Sequence, residues 1–150
     1  MVYAFEDMAV GQQYNCGTYE VTRDEILEFA RKFDPQPFHV DEAAAAKSMY
    51  GGLIASGWHT CAMAMRCMCD HFLNNATGIG SPGFDEIRFI RPVRPGDVLE
   101  VSLEVLEVTP SRSKPDRGAI KTKTYIMNQK GELAATIIST TLMRRREAAE

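Results

Sequence analysis

The chain has 150 residues, of which 45% are hydrophobic and 25% charged, with a formal net charge of −3 and a pI near 5.7. That length and balance predict one folded domain over residues 1–150, and the acidic charge argues against the concentrated basic surface that general nucleic-acid binding needs. The opening MVYAFEDMAV lacks a basic stretch leading into an apolar one, and no apolar run approaches the ~20 residues of a membrane span. Neither a leader nor a spanning helix is therefore expected, and the expected location is the cytoplasm.

The first clear element is a helix from Thr22. Thr22 and Glu25 have capping-box spacing, in which the hydroxyl accepts an orphan N–H and the carboxylate reaches back to the cap. Ile26, Phe29, Ala30 and Phe33 follow at helical spacing, and Pro35 ends the element by forcing Asp34 out of the helical region. Asp41 is a good cap for a short helix reaching Lys47. After Gly51 and Gly52 a longer helix opens at Ser56 or Gly57 and runs to about Leu73. Trp58, Cys61, Ala62, Met65, Cys69 and Phe72 form its regular stripe, but Met63, Ala64, Cys67 and Met68 make its other sides apolar too, which predicts burial on most sides. Trp58 is read as core packing, and so are Met63, Met65 and Met68, with the lining of a flexible pocket as their alternative.

From Phe84 the period shifts towards two. Strands are predicted over Phe84–Ile90, Leu99–Val105, Ala119–Met127 and Leu133–Met143, with turns at residues 91–97 and 128–131 and an exposed loop from Thr109 to Gly118. A buried helix followed by several antiparallel strands predicts an α+β domain whose curved sheet wraps the helix. Cys16, Cys61, Cys67 and Cys69 do not form a zinc pattern, since Cys67 and Cys69 point to different sides of a helix. They are read as free thiols, and no metal site is expected.

The segment Asp34-Pro35-Gln36-Pro37-Phe38-His39 carries the most chemistry. Two prolines stiffen the backbone between a carboxylate and an imidazole. Held in one loop, the two groups can bind the same water, with the carboxylate taking a proton and the imidazole orienting the water or returning one. The alternative is structural, with Asp34 ending a helix and His39 starting the next element. The segment Gly51-Gly52-Leu53-Ile54-Ala55-Ser56-Gly57 places glycine at the first turn of the long helix. Free N–H groups and the positive end of the macrodipole stabilise a developing oxyanion there, and the missing Cβ lets a carbonyl approach the Gly57 N–H. Ser56 is read as the N-cap rather than a nucleophile.

Residues 33–41 (FDPQPFHVD), residues 51–59 (GGLIASGWH) and residues 88–97 (RFIRPVRPGD) together resemble the MaoC-like dehydratases, which include the (R)-specific enoyl-CoA hydratases. The resemblance implies a hot-dog fold, a curved antiparallel sheet wrapped around a central helix. It implies Asp34 and His39 as the catalytic pair and Gly57 as the oxyanion donor. Gln36 stands where these hydratases commonly have asparagine, and Ser56 where they commonly have histidine. The implied reaction is reversible hydration of a trans-2-enoyl thioester to a 3-hydroxyacyl thioester, the (R) form. The substrate would be an acyl-CoA or an acyl-carrier-protein thioester. No cofactor is expected beyond the coenzyme A of the substrate, and the expected assembly is a homodimer or higher homo-oligomer with its sites near the interface. Two alternatives are an acyl-CoA thioesterase and a non-catalytic acyl-CoA-binding subunit.

Other residues carry weaker signals. His59 and His71 are read as structural or surface residues on the central helix, with His59 nearer the cleft. Arg88, Arg91, Arg94, Arg112, Lys114 and Arg117 are read as solvated, with phosphates of coenzyme A or an acidic carrier as the alternative. Arg144, Arg145 and Arg146 are read as an exposed tail.

Overall fold

A computed structural model describes residues 2–146. After a 3₁₀ turn at Phe5–Asp7 come β1 (Gln13–Glu20), α1 (Arg23–Phe33), α2 (Pro37–Val40), α3 (Glu42–Lys47) and α4 (Gly57–His71). A second 3₁₀ turn at Leu73–Asn75 leads into β2 (Gly78–Phe89), β3 (Val98–Pro110), β4 (Arg117–Met127) and β5 (Leu133–Arg144). The strands form one antiparallel sheet in the order β1-β3-β4-β5-β2. Its concave face holds α4, which is the expected hot-dog arrangement.

Alternation drives the wrapping. Along β4, Gly118, Ile120, Thr122, Thr124 and Ile126 are buried while their neighbours are half-exposed, so one face of the strand packs inward. Thr124 reaches Met68 of α4, with Oγ1 3.3 Å from the sulfur. From α4 itself His59, Thr60, Met63, Ala64, Cys67 and Met68 are buried. The stripe favoured by the sequence is therefore not the buried one. Trp58 is 66% and Met65 38% exposed, and Ala62 lies on the same open side. Apolar residues on every side of a helix leave its buried face to be chosen by tertiary contacts, here with β1 and β3.

Two other elements differ from expectation. β1 escapes the period-two pattern because a bulge between Asn15 and Thr18 resets it. Gly17 adopts φ +79° there, its N–H bonds the Asn15 side chain at 2.8 Å, and the His71 ring fills the place a Cβ would take. β2 starts six residues early, disguised by Gly78, Gly80, Pro82 and Gly83, with register shifts at the glycines. In α1 the buried face is Ile26, Leu27 and Ala30, while Phe33 is 64% exposed. Arg145 lies over the Phe5 ring and Arg146 pairs with Asp7 at 2.6 Å. These two arginines tie the segment just after β5 to the first 3₁₀ turn, where an exposed tail was expected.

Candidate active site

Asp34 is the C-cap of α1, and its N–H still bonds the Ala30 carbonyl at 2.8 Å. The expected stiff loop beyond it contains a turn of helix: Pro37 takes the first position of α2, with its fixed φ and no N–H to lose. That turn rotates His39 inward, where its side chain is 6% exposed. His39 Nδ1 donates to the Ile54 carbonyl at 2.8 Å, a role assigned because a carbonyl can only accept. Nε2 then faces Asp34 Oδ2 at 3.4 Å.

Asp34 is held on both oxygens. The Ser56 hydroxyl donates to Oδ2 at 2.6 Å and the Gln36 amide to Oδ1 at 2.7 Å. The Ser56 bond is the largest influence lowering the Asp34 pKa below its ordinary value; burial opposes it, and Gln36 and His39 add to the lowering. Asp34 is therefore ionised throughout the neutral range. Ser56 holds the N-cap position of α4 without using its side chain as a cap. It is fully buried behind Asp34 and is not part of the cleft wall, so its hydroxyl meets the carboxylate and is not presented to the cleft.

Asp34, His39 and Gly57 line one cleft of about 500 Å³, together with Gln36, Tyr50 and Arg91. Gly57 is the first residue of α4, so its N–H belongs to the group without intrahelical partners. The room left by its missing Cβ is filled by Phe89, whose ring would come within 2.5 Å of a Cβ at Gly57. Seating Phe89 is thus the demand for glycine visible here. The expected reason, room for a carbonyl where a Cβ would stand, is therefore corrected: Phe89 occupies that room.

Trp58 lines the cleft and also a second, apolar cavity of about 540 Å³ between α4 and the sheet. Met65, Met68, Phe72, Phe84 and Ile137 line that cavity, and among the described residues no charged side chain does. Of the six basic residues considered above, Arg91 alone lines the cleft, 3.3 Å from Glu132. Arg88 and Arg117 pair with Glu86 and Asp116, and Arg94 donates to the Tyr50 carbonyl. His59 is buried and lies outside the cleft wall. Its Nδ1 has no protein partner among the described residues.

Sequence reasoning brought together Asp34, His39 and Gly57 but missed how Ser56 and Gln36 act. The Gln36 contact spans two residues and was open to inspection as an Asp-x-Gln pair. The Ser56 contact spans 22 residues and left no local signal.

A MaoC-like domain model matches residues 6–125. A MaoC-like dehydratase from Rhodospirillum rubrum is similar at 42% identity and a TM-score of 0.91, covering 97% of this chain and 99% of that one. The R-hydratase PhaJ1 from Pseudomonas aeruginosa is similar at 27% identity and a TM-score of 0.76, covering 99% and 93%. A 3-hydroxybutyryl-CoA dehydratase from Methylorubrum extorquens is 30% identical over 118 residues, 75% of this chain and 70% of that protein. With most of its length matched by the family model, and with the hot-dog fold in place, the chain belongs to the MaoC-like dehydratase family and has a hydratase or dehydratase role.

Proposed function

We propose that the enzyme reversibly hydrates a trans-2-enoyl thioester to a 3-hydroxyacyl thioester, with Asp34 and His39 as the acid/base pair and the Gly57 N–H as oxyanion donor. One observation carries this reading: two proton acceptors converge 3.4 Å apart on the wall that also bears Gly57. Because His39 commits Nδ1–H to Ile54, Nε2 is the nitrogen that carries the imidazole lone pair. A carboxylate and a lone pair this close are both satisfied by a molecule that donates two O–H bonds, which is water.

In the hydration direction Asp34 takes one proton as the water oxygen bonds to C3. His39 Nε2 accepts the other O–H, which stays on the new hydroxyl, and the proton taken by Asp34 passes to C2, leaving the carboxylate ionised again. The π electrons of the C2–C3 double bond move towards the thioester oxygen, where the Gly57 N–H and the positive end of α4 stabilise the charge. Dehydration is the reverse. Adding water to an activated double bond calls for no further cofactor, and coenzyme A enters as part of the substrate. The relatives named as a 3-hydroxybutyryl-CoA dehydratase and an R-hydratase support the same chemistry and the (R) product.

The apolar cavity behind Trp58 supports a substrate with a hydrocarbon tail: the thioester lies in the cleft and the tail in the uncharged cavity. A space of this size suits a medium acyl chain better than a four-carbon enoyl unit. The test is loss of enoyl-thioester absorbance across short, medium, long and branched acyl chains. Medium chains should give the highest kcat/KM, with no release of free thiol. Thiol release without loss of the enoyl group would point instead to a thioesterase, and binding without turnover to a carrier of acyl-CoA.

The proposal extends to a homodimer. β2 is an edge strand, and Phe84, Phe89 and Ile90 on or just beyond it are each more than half exposed. An unpaired edge strand with large exposed apolar side chains is a liability that assembly removes. Light scattering should give twice the 16.7 kDa chain mass, and a monomer at micromolar concentration would remove this extension.

A further inference from the structure

A second group of polar side chains sits outside the cleft and joins β1, α1 and α4 at one point. Glu25 accepts the Tyr19 hydroxyl at 2.5 Å, and His59 Nε2 lies 3.3 Å from the same Glu25 oxygen. The His59 ring also stacks on Phe29, with centroids 4.7 Å apart and planes 9° from parallel. The His59 side chain is 4% exposed and Glu25 is 41% exposed. Burial is the main cause lowering the His59 pKa, so the ring is neutral at pH 7 and donates through Nε2. The Thr22–Glu25 capping box is thereby half-used. Thr22 accepts the Glu25 N–H at 3.2 Å, but the Glu25 carboxylate turns away to Tyr19 and His59.

These contacts matter for where they fall. His59 is two residues past Gly57 and three past Ser56, in the first turn of α4. Glu25 is in the first turn of α1, and Asp34 caps its other end. They stand nine positions apart, about 13 Å along the axis. α1 is thus tied to the start of α4 at both ends, by Glu25 and Phe29 on His59 and by Asp34 on Ser56. The buried apolar face of α1 holds the helix against the core without fixing its direction, because such burial is non-directional. A rod tied at one end can still swing; a second tie removes that freedom.

We infer that His59 is a positioning residue for Asp34: through Glu25 and Phe29 it sets the angle at which α1 presents its terminal carboxylate to the amide end of α4. The consequence for turnover rests on the hydration chemistry proposed above; the geometric claim does not. His59→Phe keeps the ring against Phe29 and removes the N–H donor. Glu25, partly exposed, can then turn to solvent, so no buried group is stranded and the melting temperature should stay within about 3 °C of wild type. On the best enoyl thioester kcat should fall roughly tenfold or more with KM changed less than about threefold, since a small misplacement of a catalytic group acts on the chemical step. His59→Gln, which restores an N–H at similar reach, should recover most of the loss. If His59→Phe fails to fold, Glu25→Leu removes the same tie and should give the same kcat loss.

A substrate-free readout separates this inference from the proposed reaction. Carbon-13 NMR titration of the Asp34 carboxyl should place it below the ordinary aspartate value in wild type and shift it upward in His59→Phe, as its alignment with Ser56 and Gln36 loosens. If the wild type turns over no enoyl thioester, the proposed reaction fails while this titration still decides the positioning. An unshifted Asp34 titration, a kcat within about twofold of wild type, or a loss that follows the melting temperature and is not recovered by glutamine would each overturn the inference.

Discussion

Asp34→Asn should leave the fold intact and lower turnover by roughly 10²–10⁴-fold, the scale of a lost general acid–base group, and His39→Ala should do the same. Asparagine keeps the shape of the side chain but cannot take a proton. Alanine at His39 removes the lone pair that fixes the second O–H of the water. Steady-state kinetics on the preferred enoyl thioester, with circular dichroism to show that each variant is folded, measure the effect. Turnover within about tenfold of wild type in either variant would remove that residue from the mechanism. The pH profile is a second check on the same assignment. Asp34 is held below the ordinary aspartate range, first by the Ser56 hydroxyl and against the effect of burial. A depressed pKa keeps the ionised base, and its contribution to stability, in place above the ordinary value; both are lost only as pH falls through the lower folded value. The acid limb of kcat/KM should therefore lie below the ordinary aspartate value, and Ser56→Ala should move it upward.

Phe72→Ala should cost about 3–5 kcal/mol of stability, the usual range for emptying a buried aromatic site. Phe72 caps the C-terminal end of α4 and is 1% exposed. Its ring lies 4.8 Å from that of Tyr14 on β1 and 5.7 Å from that of Tyr3, so one side chain pins the helix end to both the sheet and the N-terminal segment. At about 2–4 °C per kcal/mol for a chain of this size, the melting temperature should fall by about 6–20 °C. Calorimetry decides it, and a loss below about 1 kcal/mol would mean that the site collapses around the missing ring. Phe72 also lines the apolar cavity. The same variant should therefore enlarge the space assigned to the acyl tail.

What could be read from the sequence follows how local each determinant is. The cap at Thr22, the cap at Asp41 and the break at Pro35 act within a few residues, and α1 and α3 stand where those signals put them. The long alternating runs of β3, β4 and β5 needed no more than a count by twos. β1 was hidden by a single inserted residue at Gly17, and the first half of β2 by its glycines and Pro82. The buried face of α4 was not legible at all, because Met63, Met65, Cys67 and Cys69 satisfy an apolar environment equally and only the sheet decides among them. The site divides in the same way. Asp34 and His39 lie within one stiff segment and were found together. Ser56 and His59 act through partners 22 and 34 residues away, and their roles exist only once α1 is laid against α4.

That split has a consequence for how this scaffold can change. The groups assigned to bond-making and their supports, apart from Tyr19, Glu25 and Phe29, fall in one short stretch from Asp34 to His59, whereas the far walls of the uncharged cavity come from β2 to β5. Drift in the strands can reshape what is admitted without disturbing the proton-handling centre, so related chains on this plan are free to diversify in diet while keeping one reaction. An engineer could exploit the same independence by randomising Phe84, Ile137 and their neighbours and leaving the helical segment alone.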